Sequence, residues 1–578
     1  MSLLIMLKRN FIYLLLIILA ILPRFIFLNN VPNAINQDEL HYALDAKSFF
    51  LTGKDVLGKT SSVDVLLFRS PQSEPVQAEL AYFLEAPVLG FMGFSLLSLI
   101  FPNAILGVLT VVLIYLIARK LFDENTALIA GLIAAINPWL IFLSRSTYEA
   151  GPATLFFLCV FYVLLVTKGW KILLTIPVAL LAFYSYIGTK LIFLPFMLLG
   201  ISYAYLYVNK RKYLKQYILL FASSCLLMFF FLFQLKSYGT SSRGPELLMS
   251  SNPKIIERVN DFRKASLQSP FLAIFENKYS VYGSVLAKST FNIFSPTYLF
   301  ANADYFFMMS GHGLFYYIDL IFLIAGSVWA LVYRRKIFYF FSAFISVSIL
   351  PQILHESSLD GNFTPHVALI IPFFIILIAV GIYRIINLSK HKKYAYLSLA
   401  GIGIIYLALF LNFSYFYFLK FPLQEGTFEA QSRILSKYVS LSGNDSPITV
   451  FSANPKLVFR EYIFYENRYN EKTANVINNA LKQNNFVLNN VSFFPCNYTG
   501  LKNTTGLIIS DVYCAQEFSK KSISIAQLRD SGKRYNIFND KVCNQFNLPK
   551  YISNLKLSDF NIENLTSKKF CETFIVSY

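Results

Sequence analysis

Eleven long apolar stretches alternate with polar segments along the chain, at 11–28, 103–118, 127–143, 153–166, 172–183, 191–208, 217–235, 316–332, 337–353, 367–386 and 394–416. About 20 apolar residues in a helix cross a hydrocarbon core about 30 Å thick. Each stretch therefore predicts a transmembrane helix, the fifth a short one. The stretch 86–101 is also apolar, but Pro87, Gly90 and Gly93 interrupt it, and it reads as re-entrant or interfacial. Three polar regions remain. Residues 29–102 form a first long loop whose polar part ends near Glu85, residues 236–315 form a second, and 419–578 form a tail. The pattern predicts an α-helical polytopic membrane domain over 1–418 and a soluble domain over 419–578.

Positive charge orients the helices. With Lys8 and Arg9 in the cytoplasm, the five even-numbered stretches all end at bases: Arg119 and Lys120, Lys168 and Lys171, Lys210 to Lys215, Arg334 to Lys336, and Lys390 to Lys393. Cytoplasmic loops carry such an excess of Lys and Arg. Both long loops and the tail then lie outside the cytoplasm, in a multi-pass protein of the plasma membrane. Arg24 and Asn29-Asn30 follow the first apolar run in place of a small-residue cleavage site, so it is expected to stay as the first helix.

Composition agrees. The chain is 56% hydrophobic and 14% charged, with 58 Phe and 37 Tyr and a mean hydropathy of +0.52, far above soluble proteins. The formal charge of +19 sits mostly between apolar stretches, which assigns it to membrane orientation and not to nucleic acid. Cys159 and Cys225 fall in apolar stretches as packing residues. Cys496, Cys514, Cys543 and Cys571 fall in the tail, where an oxidising compartment predicts two disulfides, with three pairings open. Their spacing lacks the C-x-x-C pairs of zinc sites. In the tail, apolar runs at 448–451 and 506–509 alternate with helical stretches such as 473–483, which predicts a small α/β or α+β unit. Asn-x-Ser/Thr triplets there include Asn490, Asn497, Asn503 and Asn564.

The candidate chemistry collects at the outer helix ends: Asp38, Glu39, His41, Arg145, Glu149, Lys190, His312, His355 and His366. A transporter tends to carry polar groups mid-helix in broken spans, and these spans are clean. An enzyme therefore ranks above a flippase of lipid-linked sugars or a non-catalytic scaffold. An interfacial carboxylate suits a general base acting on an acceptor hydroxyl or amine. Lys190 and Arg145 suit a phosphate leaving group. Structural readings stand beside these. Lys190 and Arg145 also fit snorkelling, His312 fits a turn between Gly311 and Gly313, and Glu149 fits a charge at a helix N-terminus.

Several motifs recur in order. They are Asp38-Glu39-Leu40-His41-Tyr42; Asn137-Pro138-Trp139 leading to Ser144-Arg145; Tyr184-Ser185-Tyr186 leading to Lys190-Leu191 and Pro195; Phe294-Ser295-Pro296 through Leu299-Phe300; and Gly313-Leu314-Phe315-Tyr316-Tyr317. With them the chain, over roughly 11–386, resembles integral-membrane GT-C glycosyltransferases of the protein O-mannosyltransferase and aminoarabinose transferase superfamily. The resemblance implies a GT-C fold and inverting transfer of a hexose or pentose from a polyprenyl-phosphate carrier. The acceptor would be a protein, lipid or glycan outside the cytoplasm. It makes Asp38 the catalytic base or acceptor-orienting acid, with Glu39 beside it. His41 stands where relatives place an arginine against the carrier phosphate, and Lys190 is a second phosphate contact. Tyr42, Glu79, Glu149 and His312 are further candidates. Gln77-Ala78-Glu79 departs from the Pro-Pro or Lys-Pro of relatives, which leaves a second acidic contact and a divalent metal there unassigned. The tail carries no readable motif, and binding an acceptor or partner, or covering the site, are its open roles.

Overall fold

The computed structural model describes residues 3–69, 78–237, 253–303, 311–355, 361–388, 391–423, 430–443, 446–498, 506–514, 522–528 and 532–577. All eleven apolar stretches contain helix. Among the described residues four helices are long and apolar enough to cross a membrane: Leu96–Leu121, Leu214–Gln234, Arg335–Leu354 and Lys393–Leu423. Glu124–Ile136 and Pro138–Ser144 make a fifth if joined across their 58° bend. The other stretches are shorter. The 17-residue helix Ala150–Val166 rises about 26 Å, short of a hydrocarbon core of about 30 Å. Helix length and composition among the described residues thus account for four or five crossings and do not confirm the eleven expected.

The chain begins with α1 (Leu3–Phe25) and leads into α2 (Gln37–Thr52), the short α3 (Ser62–Leu66), α4 (Glu79–Met92) and α5 (Leu96–Leu121). The expected polar loop is therefore largely helical. Asn36 caps α2 and Gly53 ends it in the left-handed conformation at φ +71°, the usual pairing of a polar N-cap with a terminal glycine. Lys47 of α2 donates to the carbonyls of Leu89 and Gly90 near the end of α4, at 2.6 and 3.0 Å. The apolar stretch 86–101, expected to be re-entrant or interfacial, is a helix–turn–helix. It is the second half of α4, a turn at Gly93, and the start of α5.

α6 (Glu124–Ile136) and α7 (Pro138–Ser144) break at Asn137. Pro138 cannot donate into the preceding turn, and Asn137 accepts the Leu140 amide while donating to Leu314 O at 2.9 Å. α8 (Ala150–Val166), α9 (Thr175–Ser185), the single turn α10 (Ile187–Lys190), α11 (Phe193–Tyr203) and α12 (Leu214–Ser237) follow. Later helices Asp319–Tyr333 and Ile370–Ile386 touch backbone to backbone. A Cβ on Gly326 would lie 1.9 Å from Leu377 O, and one on Gly381 would lie 2.0 Å from Phe322 O. Small residues permit this close approach of helices in membranes.

The tail forms a seven-stranded sheet of order β2-β3-β1-β4-β6-β5-β7. The strands are β1 (Ile448–Ser452), β2 (Val487–Leu488), β3 (Val491–Pro495), β4 (Leu507–Asp511), β5 (Ile523–Ala526), β6 (Lys533–Phe538) and β7 (Ile575–Ser577). β1 runs parallel to β3 and β4, and the remaining pairs are antiparallel. The expected strands at 448–451 and 506–509 and the expected helix at 473–483 are present as β1, β4 and Ala474–Gln483. The disulfides join Cys496 to Cys514 and Cys543 to Cys571. Asn503 lies outside the described residues.

This domain is keyed to the first loop. Leu40, Ala43 and Leu44 of α2 share one apolar cluster with Ile434, Tyr438, Phe459 and Ile463 of the tail. Arg433, fully buried, donates to Asn33 O at 2.8 Å and pairs with both oxygens of Glu563. Tyr465 accepts the Ile35 amide, Asn467 the Phe94 amide, and Tyr469 donates to Ser48.

Candidate active site

The site is built from the first turns of α2 and α4, the turn between α7 and α8, and α10. Asp38 and Glu39 both fall in the first turn of α2, where the helix dipole favours negative charge. A helix rotates successive residues by about 100°, which sends the two acids to different environments. Asp38 is exposed, while Glu39 is buried. Glu39 Oε2 accepts the Asn36 amide and Asn36 Oδ1 accepts the Glu39 amide, each at 3.0 Å, closing a capping box. Glu39 Oε1 accepts the Thr147 amide at 2.7 Å. Both oxygens are thus bonded to backbone, and Glu39 ties α2 to the α7–α8 turn. Burial pushes its carboxyl up to about 7 against the pull of those amides, with the Asp38 charge adding to the rise.

Glu149 stands at the N-cap of α8 but makes no cap bond to that helix. The simple reading of it as a helix-terminal charge is therefore incomplete. Its Oε1 accepts the Ala78 amide at 2.9 Å, and the Tyr42 hydroxyl accepts the same amide at 3.3 Å. Burial lifts the Glu149 carboxyl to about 7; the Ala78 amide and Lys190 oppose the rise, and Asp38 adds to it. Glu149 therefore lies within electrostatic reach of both Asp38 and Lys190. Burial raises the Tyr186 hydroxyl well above its ordinary value, and the Glu149 and Asp38 charges add to the rise.

Lys190 and Glu79 form a buried ion pair, with Nζ at 2.6 Å from Oε1 and 2.8 Å from Oε2. The ammonium also lies 4.5, 5.1 and 5.5 Å from the ring centroids of Phe231, Phe68 and Phe183. Burial raises the Glu79 carboxyl above its ordinary value and Lys190 draws it back. Lys190 does not snorkel, and its first partner is Glu79. A carrier phosphate would have to share its ammonium.

Arg145, expected as a phosphate contact, is held by backbone carbonyls. It is fully buried, and its guanidinium donates to the carbonyls of Pro23, Phe27 and Val31 at 3.0, 3.4 and 2.6 Å. Tyr417 and Phe418 flank it, with ring centroids at 5.5 and 5.1 Å. These contacts fasten the end of α1, where helix carbonyls lack intrahelical partners. His312 packs on Phe416 and Phe413 at 4.9 and 5.9 Å between centroids. His41 is buried in α2. His355 and His366 lie 4.6 Å apart, and burial followed by the neighbouring His355 pushes His366 well below its ordinary value.

Glu85 escapes a reading by sequence motif. It is buried on the α4 face that carries Tyr82 and Leu89, and neither carboxyl oxygen has a hydrogen-bond partner. Burial, then the Glu39 charge, push it well above the carboxylate range. The signal was local: an acid three residues after Tyr82 and four before Leu89 interrupts an apolar helical stripe. Among the described residues no group of three or more His, Cys, Asp and Glu side chains is arranged to hold a metal ion.

Residues 78–233 match the family model described as dolichyl-phosphate-mannose-protein mannosyltransferase. The matched stretch contains Glu79, Arg145, Glu149 and Lys190 and excludes Asp38. Curated proteins gave no match to the chain. Among solved structures, the archaeal oligosaccharyltransferase AglB from Archaeoglobus fulgidus, in complex with an inhibitory peptide and a dolichol-phosphate, aligns at 15% identity and a TM-score of 0.45. That alignment covers 87% of this chain and 70% of AglB. ArnT from Cupriavidus metallidurans bound to undecaprenyl phosphate aligns at 14% identity and a TM-score of 0.46, covering 91% of this chain and 97% of ArnT. Its motifs and matched segment make the chain similar to integral-membrane GT-C glycosyltransferases.

Proposed function

We propose that the protein is a GT-C-type glycosyltransferase that moves a sugar from a polyprenyl-phosphate carrier to an acceptor outside the cytoplasm. The observation that carries this reading is the division of labour in the first turn of α2. Asp38 is exposed while its neighbour Glu39 is bonded through both oxygens to backbone, holding that turn against the α7–α8 segment. The description of the matched family supports the lipid-phosphate donor.

In this mechanism the acceptor hydroxyl or amine hydrogen-bonds to the Asp38 carboxylate and attacks the anomeric carbon. The bond from that carbon to the carrier phosphate oxygen breaks, the phosphate leaves with the electron pair, and Asp38 takes the proton. Attack opposite the leaving group inverts the anomeric centre. Lys190 is the cation offered to the phosphate. An ammonium has three donors, of which Glu79 engages two. Glu39 positions the turn that carries Asp38, and Glu149 holds the start of α4 beside it through the Ala78 amide. The basic ends of alternate helices support eleven crossings, a cytoplasmic N-terminus and a soluble domain outside. A reporter fused after Val576 and found in the cytoplasm would refute that arrangement.

The test of activity uses the full-length protein in lipid nanodiscs with a panel of radiolabelled polyprenyl-phosphate sugars. Release of the carrier phosphate is expected with one donor and not with Asp38→Asn. Release at equal rates from both proteins would remove Asp38 from the mechanism, and no release with any donor would remove the function.

A further inference from the structure

The second long loop contains a helical hairpin: α13 (Pro253–Ala265), the turn α14 (Leu272–Phe275) and α15 (Lys278–Ile293). It has a small core of its own, Ile255 and Val285 packed with Tyr282 and Leu286. Its tip is shaped by specific bonds. Arg263 Nε donates to Glu276 O at 2.8 Å, and Asn277 caps α15 by accepting the Tyr279 and Ser280 amides. The tip nevertheless leaves large apolar side chains bare. Leu267 is 93% exposed, Phe271 61%, Ile274 64%, Phe275 70% and Tyr279 85%.

This chain does not treat its water-facing surface that way. In the tail from Ala430 onward, beyond the helix that ends at Leu423, the large exposed apolar residues among those described are Val476, Tyr498, Tyr513 and Tyr551, and three of them are tyrosines with a polar hydroxyl. The hairpin, a much shorter segment, carries twice as many. Its location also differs. α15 packs on Leu350–Leu354, which is the end of Arg335–Leu354, a helix long and apolar enough to cross a membrane. The hairpin is thus held beside the point where a crossing helix leaves the bilayer. It also carries six bases, Lys254, Arg258, Arg263, Lys264, Lys278 and Lys288, against three acids. Apolar and aromatic side chains beside Lys and Arg are the composition of segments that lie in the membrane interface, and contiguous bare apolar surface marks an interaction site.

We propose that the hairpin tip, residues 267–279, inserts into the outer leaflet of the membrane, with its bases at the level of the lipid headgroups. The inference rests on the chain being embedded in a membrane and is independent of the sugar, carrier and acceptor. α15 also packs on the turn Thr297–Ala301, where Tyr298 donates to Thr364 at 3.0 Å, two residues before His366. Insertion would therefore fix the height of this side of the candidate site relative to the lipid.

The test places a spin label at Phe275→Cys, and a control label at Asp261→Cys, in full-length protein carrying Cys159→Ser and Cys225→Ser. The protein is held in nanodiscs of phosphatidylcholine and phosphatidylglycerol. Collision rates are measured with oxygen, which concentrates in lipid, and with a water-soluble nickel chelate. The expected result is severalfold greater access of oxygen than nickel at 275 and the reverse at 261. Equal preference for nickel at both positions would overturn the proposal. So would shielding of position 275 from both reagents, since a second copy or another protein would then cover the tip. If the labelled protein elutes aggregated, Phe275→Trp in discs of acyl-brominated lipid gives the same reading. Added fluorescence quenched by those lipids supports insertion, and added fluorescence that is not quenched overturns it.

Discussion

The two long outer loops received opposite treatment. The first folds into α2 and α4, and its apolar face is covered by the tail domain through Leu40, Ala43 and Leu44. Among its described acids Asp38 is exposed, while Glu39, Asp45, Asp55, Glu79 and Glu85 are buried. The hairpin of the second loop has an apolar tip that no part of the described chain covers. Covering a loop with protein fixes side chains closely enough for chemistry, whereas a bare apolar tip finds its partner outside the chain. Preorganisation of a site needs such second contacts, and Glu39, Glu149 and Ala78 supply them here.

The sharpest break between the loops is expected from Asp38→Asn. Turnover should fall about 10²–10⁴-fold, the usual worth of a positioned acid–base group, with unchanged folding. Near wild-type turnover in a well-folded protein would transfer the role to another acid of the first loop. Lys190→Ala should be next, because it strands a buried Glu79. Breaking a buried pair from one side costs about 3–5 kcal/mol, read as a fall in thermal midpoint in detergent. The paired change Glu79→Leu with Lys190→Met should recover much of that loss. If Lys190→Ala alone leaves the midpoint unchanged, the pair does not hold α10 to α4.

Glu39→Gln should cost about 1–3 kcal/mol, since one of the two amides it accepts would face an NH₂ group. A change confined to turnover, with no loss of stability, would instead make Glu39 part of the chemistry. Stability should also depend on pH with a defined sign. Glu39 and Glu149 hold values of about 7 in the fold, raised from 4.5. Between about 4.5 and 7 the unfolded chain has released protons that the folded one keeps. Stability is therefore highest below that window, falls as pH rises through it, and is level above. Thermal midpoints across pH 4 to 8 should show a shallower fall in Glu149→Gln. The smallest effect belongs to the bare hairpin. Phe275→Ser should alter stability in detergent by no more than about 0.5 kcal/mol, as for exposed positions in general. A larger loss would mean that the tip is packed on protein.

Parts of the first loop were readable beforehand and parts were not. Asn36 and Glu39, three residues apart, are the residue types of a capping box, and Gly53 marks the end of the same helix. The acidic pair could thus have been divided into a capping acid and an exposed one from spacing alone. Arg145 offered no such cue, because its partners are carbonyls at the end of α1 and just after it, more than a hundred residues away. Glu79 and Lys190 are 111 positions apart, and nothing local announces their bond.

By itself the sequence determined helix at every long apolar stretch, the placing of bases at alternate helix ends, the position of Asp38 just beyond the first helix, and a cysteine-bearing tail with strands at 448–451 and 506–509. These follow from patterns repeating over a few residues, which hydrophobic burial reads directly. Tertiary structure alone decided that Glu39 also reaches the Thr147 amide, that Lys190 meets Glu79, that Arg145 fastens the end of α1, and which cysteines join. Desolvation and pairing depend on which distant segments close over a side chain, and local periodicity carries no record of that.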